Sequence, residues 1–276
     1  MAPSHLAKIS VRGLRKDFVT RDKKGRVTGT FTALDSIDLD IDDGQFITVV
    51  GPSGCGKSTL LDMLGGLAPP TAGEIWIDGD PVNGASLDRG VVFQQYALFP
   101  WLSALDNVAF ALEAKGLSKA ERHEVAREYL SIVGLDGFDQ RYPHQLSGGM
   151  KQRVALARSL AHDPSVLLMD EPFAALDAQT REMLQAELLR IWEKSGKTVV
   201  FITHGIDEAI YLSQKIAVMT SRPGRIKHII DNPLAGAPAS DDIRASPEFG
   251  RLRHEVWTLL RDEVSHAAAL ERTAVY

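Results

Sequence analysis

A glycine-rich loop, Gly51-Pro52-Ser53-Gly54-Cys55-Gly56-Lys57-Ser58-Thr59, follows the run Phe46-Ile47-Thr48-Val49-Val50 and opens a helical pattern from Ser58 to Leu67. Such a segment needs a buried strand to present the loop and a helix whose N-terminus faces the same way. Glycines let backbone N–H groups come close to an anion, and the positive end of the helix dipole adds to the attraction. The chain is therefore expected to hold a polyphosphate on a strand–loop–helix unit. Gly54, Cys55 and Gly56 offer backbone N–H groups, Lys57 reaches the terminal phosphates, and Ser58 suits Mg2+ coordination. The Cys55 side chain occupies an unconstrained position of the loop.

A second small-residue turn, Leu146-Ser147-Gly148-Gly149-Met150-Lys151-Gln152-Arg153, also leads into a helix and can point N–H groups at an anion. The chain nonetheless offers only one set of residues for magnesium and a hydrolytic water. If the two signatures cannot meet around one nucleotide within a chain, the second serves a nucleotide held by another copy. A dimer is expected on that ground.

The 276 residues can bury a sizeable core as one large or two modest lobes. A formal net charge of −5 argues against a partner held by bulk basicity, so no nucleic acid is expected. The lone cysteine, Cys55, excludes an intrachain disulfide and a multi-cysteine zinc site. No stretch approaches the roughly 18 apolar residues that span a bilayer. Met1 to Val11 lacks the apolar core of a secretory signal, so a cytoplasmic chain is expected, with any membrane role supplied by another polypeptide.

Residues Lys8 to Asp43 alternate apolar and polar around Arg21-Asp22-Lys23-Lys24-Gly25-Arg26, predicting short antiparallel strands joined by a solvated charged turn. Phe46 to Val50, Gly90-Val91-Val92-Phe93, Val166-Leu167-Leu168-Met169 and Val199 to Thr203 lack that alternation and read as buried strands. They lead to the glycine loop, Gln94, Asp170-Glu171 and His204, the edge at which open α/β sheets bind ligands. Helical patterns at Gln152 to His162 and Ala178 to Lys194 complete an α/β core, while Asp106 to Ala114 and Lys119 to Val133 form a helical insertion. Asn232 to Ser240 reads as a linker or extended segment. A last helix then begins with Ser246 as N-cap and Pro247 at its first position, its stripe Phe249, Leu252, Val256, Leu259 and Leu260 packing on its own domain.

Asp170, at a strand end, suits Mg2+ directly or through water, and Glu171 is placed to orient or deprotonate an attacking water. His204 can contact the γ-phosphate or polarise the water network, and the uncharged amide of Gln94 can ligate Mg2+ or bind water. In order along the chain, the glycine loop, Gln94, Leu146-Ser147-Gly148-Gly149, Asp170-Glu171, Ala175-Leu176-Asp177 and His204 resemble the ATP-binding cassette (ABC) ATPase family over most of the sequence. That resemblance implies an α/β fold: a P-loop NTPase core with an N-terminal antiparallel β-subdomain and an α-helical insertion subdomain. The expected domain spans 6–240, with the insertion near 95–150, followed by a helical extension over 241–276. ATP and Mg2+ are implied, the metal held by Ser58, Gln94 and Asp170.

The resemblance further implies a head-to-tail homodimer. Within the signature Ser147, Gly148, Gly149 and Met150, Ser147 and Gly149 would contact the γ-phosphate bound by the other subunit's loop, and Asp177 would link the sites across the interface. An early aromatic residue stacks on adenine in the family. Phe18 matches that position best, with Phe31 as competitor. The chain departs from the family pattern at Met150, where Gln is frequent, and at Gly205, where Asp commonly follows the histidine; local turn effects and intact hydrolysis are expected.

Tyr96-Ala97-Leu98-Phe99-Pro100-Trp101 matches the family segment that helps receive a helix of the membrane subunit, so permease subunits and, through them, a substrate-binding protein are implied partners. One cassette, one cysteine and no sustained heptads separate the chain from nucleic-acid and ribosome-acting relatives. Arg89 to Gln94, Tyr142-Pro143-His144-Gln145, Thr220-Ser221-Arg222-Pro223-Gly224-Arg225 and Ser246-Pro247-Glu248-Phe249 resemble the nitrate/sulfonate/taurine importer group. This implies a peripheral protein on the cytoplasmic face of the bacterial plasma membrane. Its cargo is expected to be taurine or another sulfonate, with nitrate as the alternative.

Overall fold

The computed structural model describes residues 7–236 and 243–273. In chain order its elements are β1 (Ile9–Arg21), β2 (Val27–Ile41), β3 (Phe46–Val50), α1 (Lys57–Leu64), β4 (Ala72–Ile77), β5 (Asp80–Pro81), β6 (Arg89–Val92), α2 (Ala104–Phe110), α3 (Lys119–Ile132), α4 (Gly148–Ala161), β7 (Val166–Asp170), α5 (Ala178–Ser195), β8 (Thr198–Thr203), α6 (Ile206–Leu212), β9 (Lys215–Met219), β10 (Ile226–Asp231) and α7 (Pro247–Thr273). They divide into two compact units: residues up to 85 together with those from 200 onward, and residues 86–199.

In the first unit, an antiparallel sheet has the order β2-β1-β4-β5. The predicted short strands are in fact one long hairpin of 13 and 15 residues. Its register shift between Val11 and Leu14 coincides with left-handed Gly13, and the next, between Leu14 and Lys16, with left-handed Ser36 on the facing strand, so bulges bend the ribbon without ending it. The charged turn forms as expected, with Asp22 Oδ1 accepting from the backbone N–H groups of Lys24 and Arg26. Ile9, Val11, Leu14, Ile37 and Ile41 are fully buried, which accounts for the alternation seen in sequence.

The same unit orders β10-β9-β3-β8, with β9 parallel to β3 and antiparallel to β10. Every residue of β3 is buried, the reason its sequence lacks a polar face. Ser246 Oγ accepts the Phe249 N–H at the start of α7, and Phe249, Leu252, Val256 and Leu260 are buried against Val50, Ile210, Ile216 and Val218. At roughly 1.5–3 kcal/mol for each large apolar side chain buried, those four anchors hold α7 firmly to this unit. Asn232 is buried and donates to the carbonyls of Ile210 and Ser213, so the start of the predicted linker is anchored. The chain turns directly after it, with Leu234 donating to Asn232 Oδ1 and Ala235 to the Asn232 carbonyl, while residues 237–240 of that linker and the expected domain boundary at 240/241 lie outside the described residues.

In the second unit, β6 runs parallel to β7 from Arg89↔Val166 to Val92↔Met169. Residues 95–150 hold α2, α3, the start of α4 and two single 3-10 turns. The helix expected over Asp106 to Ala114 stops at Phe110, and a separate turn, Glu113–Lys115, closes on left-handed Gly116. α3 begins with a capping box between Ser118 and Glu121. Buried Asn107 donates to the carbonyls of Phe99, Leu102 and Ser103 and accepts from the Phe99 N–H, so one amide fixes the segment before α2.

Candidate active site

The glycine loop leaves buried β3 and enters α1, whose N-cap, Gly56, provides no side-chain bond. The first N–H groups of a helix have no intrahelical acceptor, so the opening turn of α1 presents donors where an anion would sit. Gly54 and Gly56 have φ of +72° and +105°, values that L side chains rarely adopt. A Cβ at Gly56 would also come within 2.6 Å of Leu34 Cδ2. Lys57 is buried and its Nζ bonds the carbonyls of Gly51 and Pro52 at 2.8 and 3.1 Å, folding the ammonium back along its own loop. Gly51 and Pro52 are buried, Ser53 and Ser58 are exposed, and Thr59 is half-buried.

Cys55 is buried, and its Sγ would stand 2.8 Å from a Cβ added at Gly51. Burial pushes its thiol pKa up, against the partial opposition of Lys57. Its N–H makes a long, 3.4 Å bond to the Pro52 carbonyl.

Phe18 and Phe31 face each other across the β1–β2 ladder, their rings stacked with centroids 5.5 Å apart. Both are 38% exposed, so burial does not choose between them as the surface offered to a base. Their cations differ: Lys16 lies 5.4 Å from the Phe18 centroid, whereas Arg222 lies 5.0 Å from that of Phe31. Arg222 also donates to the Gly54 carbonyl. That contact escapes sequence reasoning, for its partners lie 168 positions apart; the only local sign is the Pro-Gly turn beside it. His204 lies exposed just past the end of β8, and the following Gly205 is an extended N-cap of α6 whose N–H bonds Thr203 Oγ1.

In the second unit, half-buried Asp170 closes β7 and Glu171 follows in a left-handed conformation, φ 42°. A non-glycine residue held there carries strain of about 1–3 kcal/mol, a cost that clusters at functional sites. Gln94 Nε2 lies 3.5 Å from Glu171 Oε2, a long contact that joins the two predicted water-handling groups. Tyr96 and Ala97 are also left-handed, their carbonyls held by Arg158 at 3.1 and 2.6 Å. Beyond them Phe99 contacts the rings of Trp101 and Phe110, and Trp101 is 70% exposed, a large apolar face left to solvent.

The signature opens α4, with Ser147 as N-cap accepting the Met150 N–H at 3.3 Å. Gly148 and Gly149 are the first two helical residues, so their N–H groups are left without intrahelical acceptors. A Cβ at Gly149 would stand 2.6 Å from Thr180 Cγ2 of α5, which accounts for the second glycine by close helix packing. Asp177 caps α5, accepting the Thr180 N–H at 3.0 Å, and that bond holds its carboxyl below the ordinary range.

A glycine loop between a buried strand and an uncapped helix, in a chain that also closes a buried parallel strand with two acids, defines a P-loop nucleotide hydrolase. The model of the ABC transporter family matches residues 34–174. An uncharacterized ABC transporter ATP-binding protein of Methanocaldococcus jannaschii is 56% identical over 84% of this chain and 85% of its own length. An aliphatic sulfonates import ATP-binding protein of Bacillus thuringiensis is 49% identical over 83% and 88%, and a nitrate import ATP-binding protein of a Synechocystis species 47% identical over 84% and 90%. Among solved structures, a dimeric ATP-binding cassette in a post-hydrolysis state with ADP and Pi is 36% identical, with a TM-score of 0.71 over 81% of this chain and 98% of that one. The chain belongs to the ABC transporter family, and it is an ATPase.

Proposed function

We propose that this protein is the ATP-hydrolysing subunit of an importer, working as a homodimer beneath permease subunits that receive solute from a binding protein. The observation that carries the reading is the glycine loop: a helix N-terminus with no side-chain cap, backed by a buried lysine. In this reading Gly51 to Thr59 binds the phosphates, Lys57 exchanging its bonds to loop carbonyls for stronger ones to phosphate oxygens. Phe18 stacks on adenine, with Phe31 as its backing ring. Ser147 and Gly149, in the signature that runs to Met150, serve the ATP of the other copy, and Asp177 joins the two sites.

Ser58, Gln94 and Asp170 are the proposed protein donors to Mg2+. The chemistry of that set fits: a hydroxyl, an amide and one carboxylate are all oxygen ligands. Among the described residues no three His, Cys, Asp or Glu side chains group into a metal site. Mg2+ suits such a sparse set, because it is commonly bound through one or two carboxylates with phosphates and waters supplying the rest. When bound, the ion supplies positive charge that offsets the charge of the phosphates. Glu171 orients and deprotonates the attacking water, with Gln94 beside its carboxylate, and His204 bears on the γ-phosphate.

Glu171→Gln keeps the side chain's shape and removes the base, so it should bind ATP, lose about a thousandfold in turnover and accumulate as a dimer. Undiminished ATPase activity in that variant would sink the assignment. No helix among the described residues is long and apolar enough to cross a membrane, and the proposed place at the cytoplasmic face of the plasma membrane rests on partner subunits. The proposed contact is the segment Tyr96 to Trp101, within a helical subdomain over 95–150, supported by the exposed Trp101 ring.

For cargo we infer a small anion or zwitterion, a sulfonate such as taurine before nitrate. The support is the resemblance to import ATPases named for sulfonates and nitrate. Deleting the gene should abolish growth on taurine or an alkanesulfonate as sole sulfur source; unimpaired growth and uptake on both would defeat the preference.

A further inference from the structure

The turn Thr220 to Arg225 stands outside the roles given above, yet it is seated against the glycine loop. A Cβ at Gly224 would fall 2.1 Å from the Cys55 carbonyl oxygen, so only glycine lets the turn backbone come this close. Gly224 donates to the Ala33 carbonyl and accepts from the Asp35 N–H, tying the turn to β2, and Arg225 pairs with Asp35. From this seat the Arg222 guanidinium reaches two places at once. Its Nε and Nη2 donate to the Gly54 carbonyl at 3.3 and 3.1 Å, and its Cζ lies over the Phe31 ring, 5.0 Å from the centroid.

The Gly54 carbonyl belongs to the same peptide unit as the Cys55 N–H. In a trans peptide the two point in opposite directions, so a cation that holds the carbonyl oxygen in place also aims the N–H. That N–H is one of the expected phosphate donors, and its present bond to Pro52 is long. Phe31 in turn is stacked on Phe18, the proposed adenine platform.

The turn is also held from α7. Glu263 accepts from the Ser221 N–H at 2.8 Å and from Ser221 Oγ at 3.0 Å, while Lys227 pairs with its other oxygen at 2.8 Å. Burial raises the Glu263 carboxyl pKa, but Lys227 and the Ser221 donors outweigh it and hold the group below the ordinary range. Lys227 further donates to the Leu259 carbonyl of α7.

We propose that Arg222 is a positioning residue of the ATP site: it aims the Gly54–Cys55 peptide at the phosphates and braces the Phe31–Phe18 pair, and α7 holds it in register through Glu263 and Ser221. This rests on the reading that the glycine loop and Phe18 bind ATP. A positioning role is felt in binding before chemistry. The bonds are exposed, so the effect is modest beside that of Lys57.

The test uses the full-length chain, with ATP affinity measured by calorimetry and steady-state ATPase kinetics alongside. Arg222→Ala should raise Kd and KM for ATP about tenfold while kcat stays within about twofold, and Arg222→Lys should recover part of the loss. Glu263→Gln, which leaves every loop residue in place, should move Kd and KM the same way by about threefold. Unchanged Kd and KM in both Arg222→Ala and Glu263→Gln, or a fall in kcat with KM unmoved, would overturn the proposal. If Arg222→Ala does not fold, Glu263→Gln decides alone. Lys57→Ala separates the two readings: retained ATP binding there removes the loop assignment itself. Lost binding there, with Arg222→Ala and Glu263→Gln at wild-type values, removes only the role given to Arg222.

Discussion

The glycine-bearing turns that open α1 and α4 are finished differently. At α1 the N-cap is a left-handed glycine with no side-chain bond, and a buried lysine folds back onto the loop carbonyls. At α4 the N-cap is an exposed serine that satisfies its own helix at Met150. The first terminus is built around a buried charge and has no side-chain acceptor for its leading donors. The second has one of its leading donors satisfied by its own serine, and its second glycine permits the close approach to Thr180. In the proposed reading the two patterns differ in use: the first loop holds its nucleotide within the chain, and the second serves the nucleotide of another copy.

The comparison breaks if both termini serve the same bound nucleotide in one chain. Lys57→Ala removes the buried charge of the first, and ATP affinity should fall about a hundredfold or more, as for truncation within a desolvated charged contact. Calorimetry on the isolated subunit checks this. Gly149→Ala acts at the second terminus, where Thr180 is short and β-branched and has little room to yield. It should cost about 1–3 kcal/mol of stability, lowering the thermal midpoint by roughly 2–4 °C for each kcal/mol while the isolated subunit's ATP affinity stays. An affinity loss like that of Lys57→Ala would erase the distinction.

Ser147→Ala is a finer probe. Removing this N-cap should cost about 1 kcal/mol in thermal unfolding, with turnover falling in the dimer and ATP affinity of the monomer untouched. The smallest effect concerns the support that α7 lends the first terminus. Glu263 has its folded pKa held low, so its contribution to stability is fully present above the unfolded carboxylate range and drains away as pH falls through the lower folded value. Urea unfolding from neutral into acid pH should therefore show a shallower acid loss in Glu263→Gln than in the parent. Parallel curves would show that Glu263 contributes nothing through its charge.

Much of the fold is legible from local patterns. Phe46 to Val50 and Val166 to Met169 are unbroken because both faces of those strands are covered, and Ser246-Pro247 marks the start of α7 as its capping bond requires. The hairpin is harder to read, since a bulge at Gly13 interrupts the alternation and makes two long strands resemble several short ones. Strands β9 and β10 and the seven-residue α6 escape notice, being short and set among turns. The proposed adenine platform is ambiguous in sequence for a reason the structure supplies: Phe18 and Phe31 are cross-strand partners in one stack with equal exposure.

The sequence by itself determined the strand–loop–helix around Lys57, the acids that end β7, the signature that opens α4 and the stripe that buries α7. Each depends on residue type and period over a few positions, which the chain carries locally. Only the tertiary structure decided where Lys57 turns its ammonium, that Gly149 is glycine for the sake of Thr180, and that Arg222 reaches Gly54 across 168 positions. Those outcomes depend on strand order and on backbones approaching within van der Waals contact, and no local periodicity encodes either.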